Sequence, residues 1–468
     1  MFKLKFRVCY DRIKLIYSIR IFREVPMQII QTIISYLAIA AAFLSSVFSF
    51  GEPALIPYTN NYTIPDSIPE YKVISAEEKT DWKAKWIWDK DNLTEKNVWM
   101  CFNKRVILPK VPEELVADIS KVGENQVLKL GVSCIDDRFA FDGESITAEC
   151  SELLFELIFN PLTENGVFTA KDVESEKRLL CERLDAETGD KRAYAKNRCE
   201  EIMFGDEAYG IHRLGSREVI ESITPEALFE AYKEILANAK ICVCVSGKTD
   251  YEAVKNMLGK YIGSVERDLL TSETVFVEKA EDVTYQKESE SVKQGKLVMG
   301  FRLGMSDADD NYAARRIMVD LFGDSPHSKL FTIVREKMSL CYYCSARMIR
   351  QKGIMFVQSG IESYNEEKAT KAILQQLEDI KNGNFTDEDV EASVKALEDT
   401  FKSVSDSPEA LDTWFMSQCV SGDYKYPEDF IEEFKNVTRE EIIKAASDVT
   451  LDTIFMLEGN AKGGEADE

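Results

Sequence analysis

Asn165-Gly166-Val167-Phe168-Thr169-Ala170-Lys171-Asp172-Val173-Glu174 recurs 217 positions later as Asn382-Gly383-Asn384-Phe385-Thr386-Asp387-Glu388-Asp389-Val390-Glu391, with seven of ten residues identical. A second pair follows in the same order. Ile223-Thr224-Pro225-Glu226-Ala227-Leu228 is echoed by Val437-Thr438-Arg439-Glu440-Glu441-Ile442 at an offset of 214. Each leads through a helical stretch to a strand pattern, KICVCVSG at 240–247 and DTIFMLEG at 452–459. Two matches at nearly one offset indicate duplicated halves rather than chance. In physical terms all four are helix starts: Thr169, Thr224, Thr386 and Thr438 stand where a hydroxyl caps free backbone N–H groups, with acids in the first turn.

Around these anchors the periodicity predicts helices over 145–159, 170–202, 224–238 and 250–261, then over 309–322, 326–337, 364–382, 386–405 and 438–448. Strands are expected over 240–247, 295–303, 340–350, 353–361 and 452–458. Strands in runs with helices grouped beside them argue for an α+β fold, helices packed on a mainly antiparallel sheet in each half. The halves are placed at 121–265 and 293–460, with a polar, acidic linker at 266–292 and an acidic tail at 461–468. The repeat also exposes a gap. The strand and helix that open the second half have counterparts near 80–107, an interval occupied by unrelated sequence, so the first half is expected to be truncated.

That earlier sequence has its own character. The first 28 residues carry seven basic side chains against two acidic ones, and residues 29–50 contain no charge over 22 positions. Such a run is long enough to cross the ~30 Å hydrocarbon core, so residues 1–50 are expected to be a membrane anchor or signal, with the bulk of the chain outside. Residues 51–82 form a Pro-, Tyr- and Asn-rich linker. Residues 83–120 hold Trp86, Trp88 and Trp99 and alternate like β-strands.

The net charge of -24 over 468 residues disfavours nucleic acid as a partner. Two histidines, His212 and His327, lie 115 positions apart, which excludes any zinc motif with two histidines on one helix. Eleven cysteines fit a reduced, cytoplasmic protein better than an exported one, in tension with the apolar segment. Cys242 and Cys244 alternate with valines on one strand face, and Cys341 and Cys344 form a lone C-x-x-C in a β-like run; both pairs read as structural.

The stretches VFTAKDVESEKRLL, GDKRAYAKNRCEEIMFGDEAYG and LFGDSPHSKLFTIVREKMSLCYYCSARMIRQKGIMFVQSGIES together resemble the M16, insulinase-like and pitrilysin-related, metallopeptidases over about 121–460. The closest likeness is to the bacterial subgroup that lacks the zinc motif and accompanies a motif-bearing partner. Separately, residues 83–120 resemble the opening of the N-terminal β-sandwich of bacterial α-L-rhamnosidases, and no catalytic barrel follows.

The M16 resemblance implies a peptidase fold without its chemistry. Active members carry H-x-x-E-H on the opening helix of the first half, and a further glutamate ligand seven residues beyond the Glu of an E-K pair. Here the pair is Glu176-Lys177 and the ligand position is Arg183, a fixed cation that cannot ligate; Glu182 points about 100° away around the helix. No metal or other cofactor is therefore expected, and no peptide hydrolysis. The substrate-holding side is retained, because the Arg and Tyr that grip the peptide backbone in family enzymes match Arg335 and Tyr342. His327 reads as a loop or helix-start residue. These observations predict a non-catalytic homologue that binds peptide or a zinc-bearing M16 partner subunit. Two rival readings are a membrane-tethered, carbohydrate-associated module and an end-to-end joining of unrelated fragments.

Overall fold

The computed structural model describes residues 13–21, 114–122, 125–134, 137, 145–205, 207–247, 249–269, 275–305, 311–421 and 424–459. The apolar segment 29–50, the linker 51–82 and the three tryptophans of the β-like segment lie outside the described residues.

Two α+β units follow one another. The first has strands β1 (Ile13–Ile21), β2 (Glu114–Val122), β3 (Asn125–Cys134) and β4 (Ile241–Ser246). Its helices are α1 (Ile146–Phe159), α2 (Ala170–Gly189), α3 (Lys191–Phe204), α4 (Arg217–Ser222), α5 (Pro225–Asn238) and α6 (Tyr251–Ile262). The second has strands β5 (Thr284–Glu290), β6 (Gly295–Arg302), β7 (Cys341–Ile349), β8 (Ile354–Ile361) and β9 (Thr450–Gly459). Its helices are α7 (Tyr312–Val319), a wide-turned helix Leu330–Lys337, α8 (Glu366–Lys381), α9 (Asp387–Ser403), α10 (Pro408–Ser421), α11 (Pro427–Lys435) and α12 (Arg439–Ser447).

The first sheet runs β2-β3-β1-β4 and the second β5-β9-β6-β8-β7. Every pairing is antiparallel except β5 with β9. Apart from β5, the two orders correspond strand for strand, with β1 standing where β6 stands in the second sheet. The opening strand expected to be missing thus has its place filled by residues 13–21. Backbone demand accounts for this: without a strand between them, β3 and β4 would each leave a row of N–H and C=O groups unpaired.

Each sheet face is closed by its own helices. Leu128, Leu130, Val132, Leu154, Phe155, Leu180 and Leu236 belong to one buried cluster; Met299, Phe301, Phe322, Ile373, Phe430 and Phe434 belong to the other. A third cluster joins the units, because each sends a helix across. Helix α3 lays Ala195, Cys199, Met203 and Phe204 against Val298, Ile354, Phe356, Phe455 and Leu457 of the second sheet. Gly300 on β6 makes room, since a Cβ there would stand 2.6 Å from Met203 Sδ. In return α10 packs on β4 and β1 of the first sheet.

The four threonine caps form as the sequence predicts. Thr169 accepts from Asp172 N, Thr224 from Ala227 N, Thr386 from Asp389 N and Thr438 from Glu441 N, the last two as complete capping boxes. The repeat's phenylalanines, Phe168 and Phe385, are both buried. Its glycines, Gly166 and Gly383, hold φ of 80° and 73°, values that favour a residue without Cβ.

Several boundaries differ from the sequence reading. The stretch 170–202 is two helices, since Asp190 ends α2 and caps α3 by accepting from Arg192 N at 2.9 Å and Ala193 N at 3.2 Å. The boundary drawn at residue 120 falls inside β2. Part of the linker at 266–292 is the edge strand β5, which is polar because it lies mostly in solvent. The helices expected over 309–322 and 326–337 continue in wide turns, with Met338 N bonded five residues back to Ile333 O.

Candidate functional site

Arg335 lies near the end of the wide-turned helix, and Tyr342 near the start of β7, the outermost strand of its sheet. The register slips between Cys341 and Tyr343, so Tyr342 sits at an irregularity that turns it outward, 61% exposed. Arg335 Nε donates to the Tyr342 carbonyl at 3.0 Å, and its guanidinium lies 4.4 Å over the Phe331 ring. The Tyr342 hydroxyl donates to Glu362 Oε1 at 2.7 Å, and that bond raises its pKa above the ordinary phenol value. The two predicted residues are therefore brought together at a sheet edge, tied to each other through the backbone.

The metal side is organised differently. Glu176 is buried on α2, whereas Arg183, two turns on, is exposed; the face they share is covered at one end and open at the other. Glu182 pairs with Arg178 at 2.6 Å on the solvent side. His212 is engaged in the first unit: its Nε2 lies 3.1 Å from Glu187 and 3.4 Å from Asn197, and its Nδ1 accepts from Leu214 N at 3.3 Å. His327 belongs to the second unit, with Nε2 3.3 Å from both Asp320 and Ser393. Among the described residues no group of three His, Cys, Asp or Glu is placed to hold a metal ion. An arginine at the ligand position and two separately engaged imidazoles do not fit the zinc of the peptidase reaction.

Cys341 and Cys344 are buried in β7, and Cys242 and Cys244 sit half-buried on β4 facing α10 rather than fully in the core.

Sequence reasoning missed the charged groups where the units meet. Arg302 on β6 donates to Asp452 Oδ2 at 2.7 Å and to Met203 O at 3.2 Å, with its guanidinium over the Phe204 ring. Lys352, with a fully buried side chain, reaches Glu207 and Val275 O, each at 2.7 Å. Lys121 on β2 pairs with Glu200 on α3 and donates to Tyr209 O at 2.8 Å. Burial lowers the Lys121 ammonium's value; burial would raise Glu200, but Lys121 and Lys196 outweigh it and hold that carboxyl below its usual range. Partners separated by 77 to 150 positions leave no local pattern to read.

Two α+β units exchange helices across a shared core, with Arg335 and Tyr342 at a sheet edge of the second and, among the described residues, no group of three metal-donating side chains. The comparisons give this scaffold its family. Residues 222–397 match the Peptidase M16 inactive domain. A probable inactive metalloprotease of Bacillus subtilis, YmfF, is 33% identical over 344 residues, covering 73% of this chain and 80% of that protein. A conserved protein of Enterococcus faecalis superposes with a TM-score of 0.74 at 21% identity, over 98% of this chain and 94% of that one. A peptidase M16 inactive domain from Pseudomonas fluorescens superposes at 0.59 with 13% identity, over 96% and 93%. The chain belongs to the M16 peptidase family, as one of its non-catalytic members.

Proposed function

We propose that the protein is a holding subunit, which binds an extended peptide and a zinc-bearing M16 partner that performs the hydrolysis. The observation that carries this reading is Tyr342, exposed on an outermost strand beside Arg335. An outer strand offers backbone groups to a peptide added edge to edge, while the terminal guanidinium N–H groups supply donors for peptide carbonyls and the phenol adds one when it turns from Glu362. The common strand order of the two sheets and the matched threonine caps support reading the units as duplicated M16 halves, the first with its opening segment replaced.

The test is co-purification with an M16 homologue that carries H-x-x-E-H, together with fluorescence titration of an unstructured peptide. The wild-type chain is expected to retain both, and Arg335→Ala with Tyr342→Ala to weaken peptide binding about tenfold, the loss of about two ordinary hydrogen bonds. Equal peptide affinity in wild type and variant, with no retained partner, would discard the proposal. Zinc-dependent peptidase activity of the isolated chain would do the same.

A further inference from the structure

Helix α10 lies along β4, and two contacts fix its register. Ser246 Oγ donates to Asp412 Oδ1 at 2.6 Å in the buried interior, and Lys240 Nζ donates to Cys419 O at 3.1 Å at the other end. Cys242, Cys244 and Ser246 occupy alternate positions and so share the strand face that meets the helix. Asp412 and Cys419 are seven residues apart and share a helix face. From Ser246 to Cys242 the strand advances about 13 Å, and from Asp412 to Cys419 the helix advances about 10 Å. Running in opposite directions, the two elements therefore bring Cys419 and Cys242 together, and the nearby Cys242 thiol pushes the Cys419 thiol up.

We infer that Cys242 and Cys419 form a reversible cross-link site, which a small dissolved disulfide oxidises to a bond between the two M16 units. Both cysteines are partly exposed. Two other neighbouring thiol pairs, Cys134 with Cys150 and Cys341 with Cys344, are buried and shielded from such an oxidant. The neighbouring Cys242 thiol and burial keep the Cys419 proton in place, and Cys419 also stands at the C-terminal end of its helix, where a thiolate is disfavoured. Cys242 is thus the thiol that reacts first. Its thiolate attacks one sulfur of the small disulfide and expels the other as a thiolate, leaving a mixed disulfide. Cys419 then loses its proton to solvent and attacks the Cys242 sulfur, expelling the second small thiolate. Two protein thiols lose two electrons in all, and one small disulfide gains them as two thiols.

The experiment is peptide mapping by mass spectrometry of the full chain, incubated with oxidised glutathione and then alkylated without reduction. The expected product is a peptide pair joining Cys242 to Cys419, reversed by dithiothreitol, with Cys134, Cys150, Cys341 and Cys344 alkylated as free thiols. The oxidised wild type should melt at a higher temperature than the reduced one. Cys419→Ser should stop at a lasting glutathione adduct on Cys242. Absence of the joined pair, or joining of either cysteine to any other, overturns the inference, and this readout on the wild type does not depend on the variant folding.

Discussion

Glu288 shows how much a single polar residue on an exposed strand contributes. It accepts from the Tyr194 hydroxyl at 2.7 Å and from Arg198 at 2.8 and 3.1 Å, so the edge strand β5 is tied to the crossing helix α3. Burial pushes the Tyr194 phenol up to about 12, reinforced by Glu288, and the bonds from Tyr194 and Arg198 outweigh burial to hold the Glu288 carboxyl below its usual range. Glu288→Gln is expected to lower stability by about 1–2 kcal/mol at pH 7, measured by urea unfolding. The folded value lies below the unfolded one. The contribution is therefore complete above the ordinary carboxylate range and is lost as pH falls through the folded value. The gap between wild type and variant should close on that acid side; a gap that stays constant with pH would show that the charge is not responsible. Nothing local in TYQKESE marks Glu288 for this role, since its partners lie 90 and 94 positions away.

Helix ends were the most legible elements, because a cap is a contact between residues three apart. Thr386 accepts from Asp389 N at 3.1 Å while Asp389 accepts from Thr386 N at 2.8 Å, a reciprocal pair written in the local sequence. Thr386→Ala is expected to cost about 1 kcal/mol in thermal or urea unfolding, and Thr386→Asn much less. Equal losses in both would assign the effect to something other than the cap. Strands were legible where apolar runs are dense, as in β6, β8 and β9, which the sequence places correctly. The strands β1, β3 and β5 are not read as such, and β2 only as the end of the β-like segment 83–120. β5 exposes most of its side chains, so it lacks the apolar alternation that marks a half-buried strand. The break between α2 and α3 was missed as well, although Gly189-Asp190 is a local stop and cap; the continuous helical periodicity on both sides masked it.

At the scale of the whole molecule, the position of β1 bears on the apolar segment 29–50. β1 precedes that segment and β2 follows it, yet both belong to one sheet, with Ile13–Ile21 paired residue for residue to β3. A single crossing of the membrane would place the two flanks on opposite sides, so a crossing and this pairing are alternative geometries. No described helix is long and apolar enough to cross a membrane. With β1 in the sheet, the chain is expected in the aqueous fraction after alkaline carbonate extraction of cells expressing it; retention in the bilayer pellet would mean that β1 is unpaired and residues 29–50 cross. The sequence by itself determined the family, the capped helices of the repeat, and that an arginine, Arg183, stands seven residues beyond Glu176. Those features rest on residue identity and short spacing: an arginine cannot ligate zinc wherever the chain places it. The tertiary structure decided which distant strand fills the first sheet and how α3 and α10 exchange between units. It also decided which carboxylates meet Arg302, Lys352 and Lys121, and that Cys419 meets Cys242. Those contacts join residues many tens of positions apart, and they form because packed faces and unpaired backbone groups must find partners, a requirement no local pattern encodes.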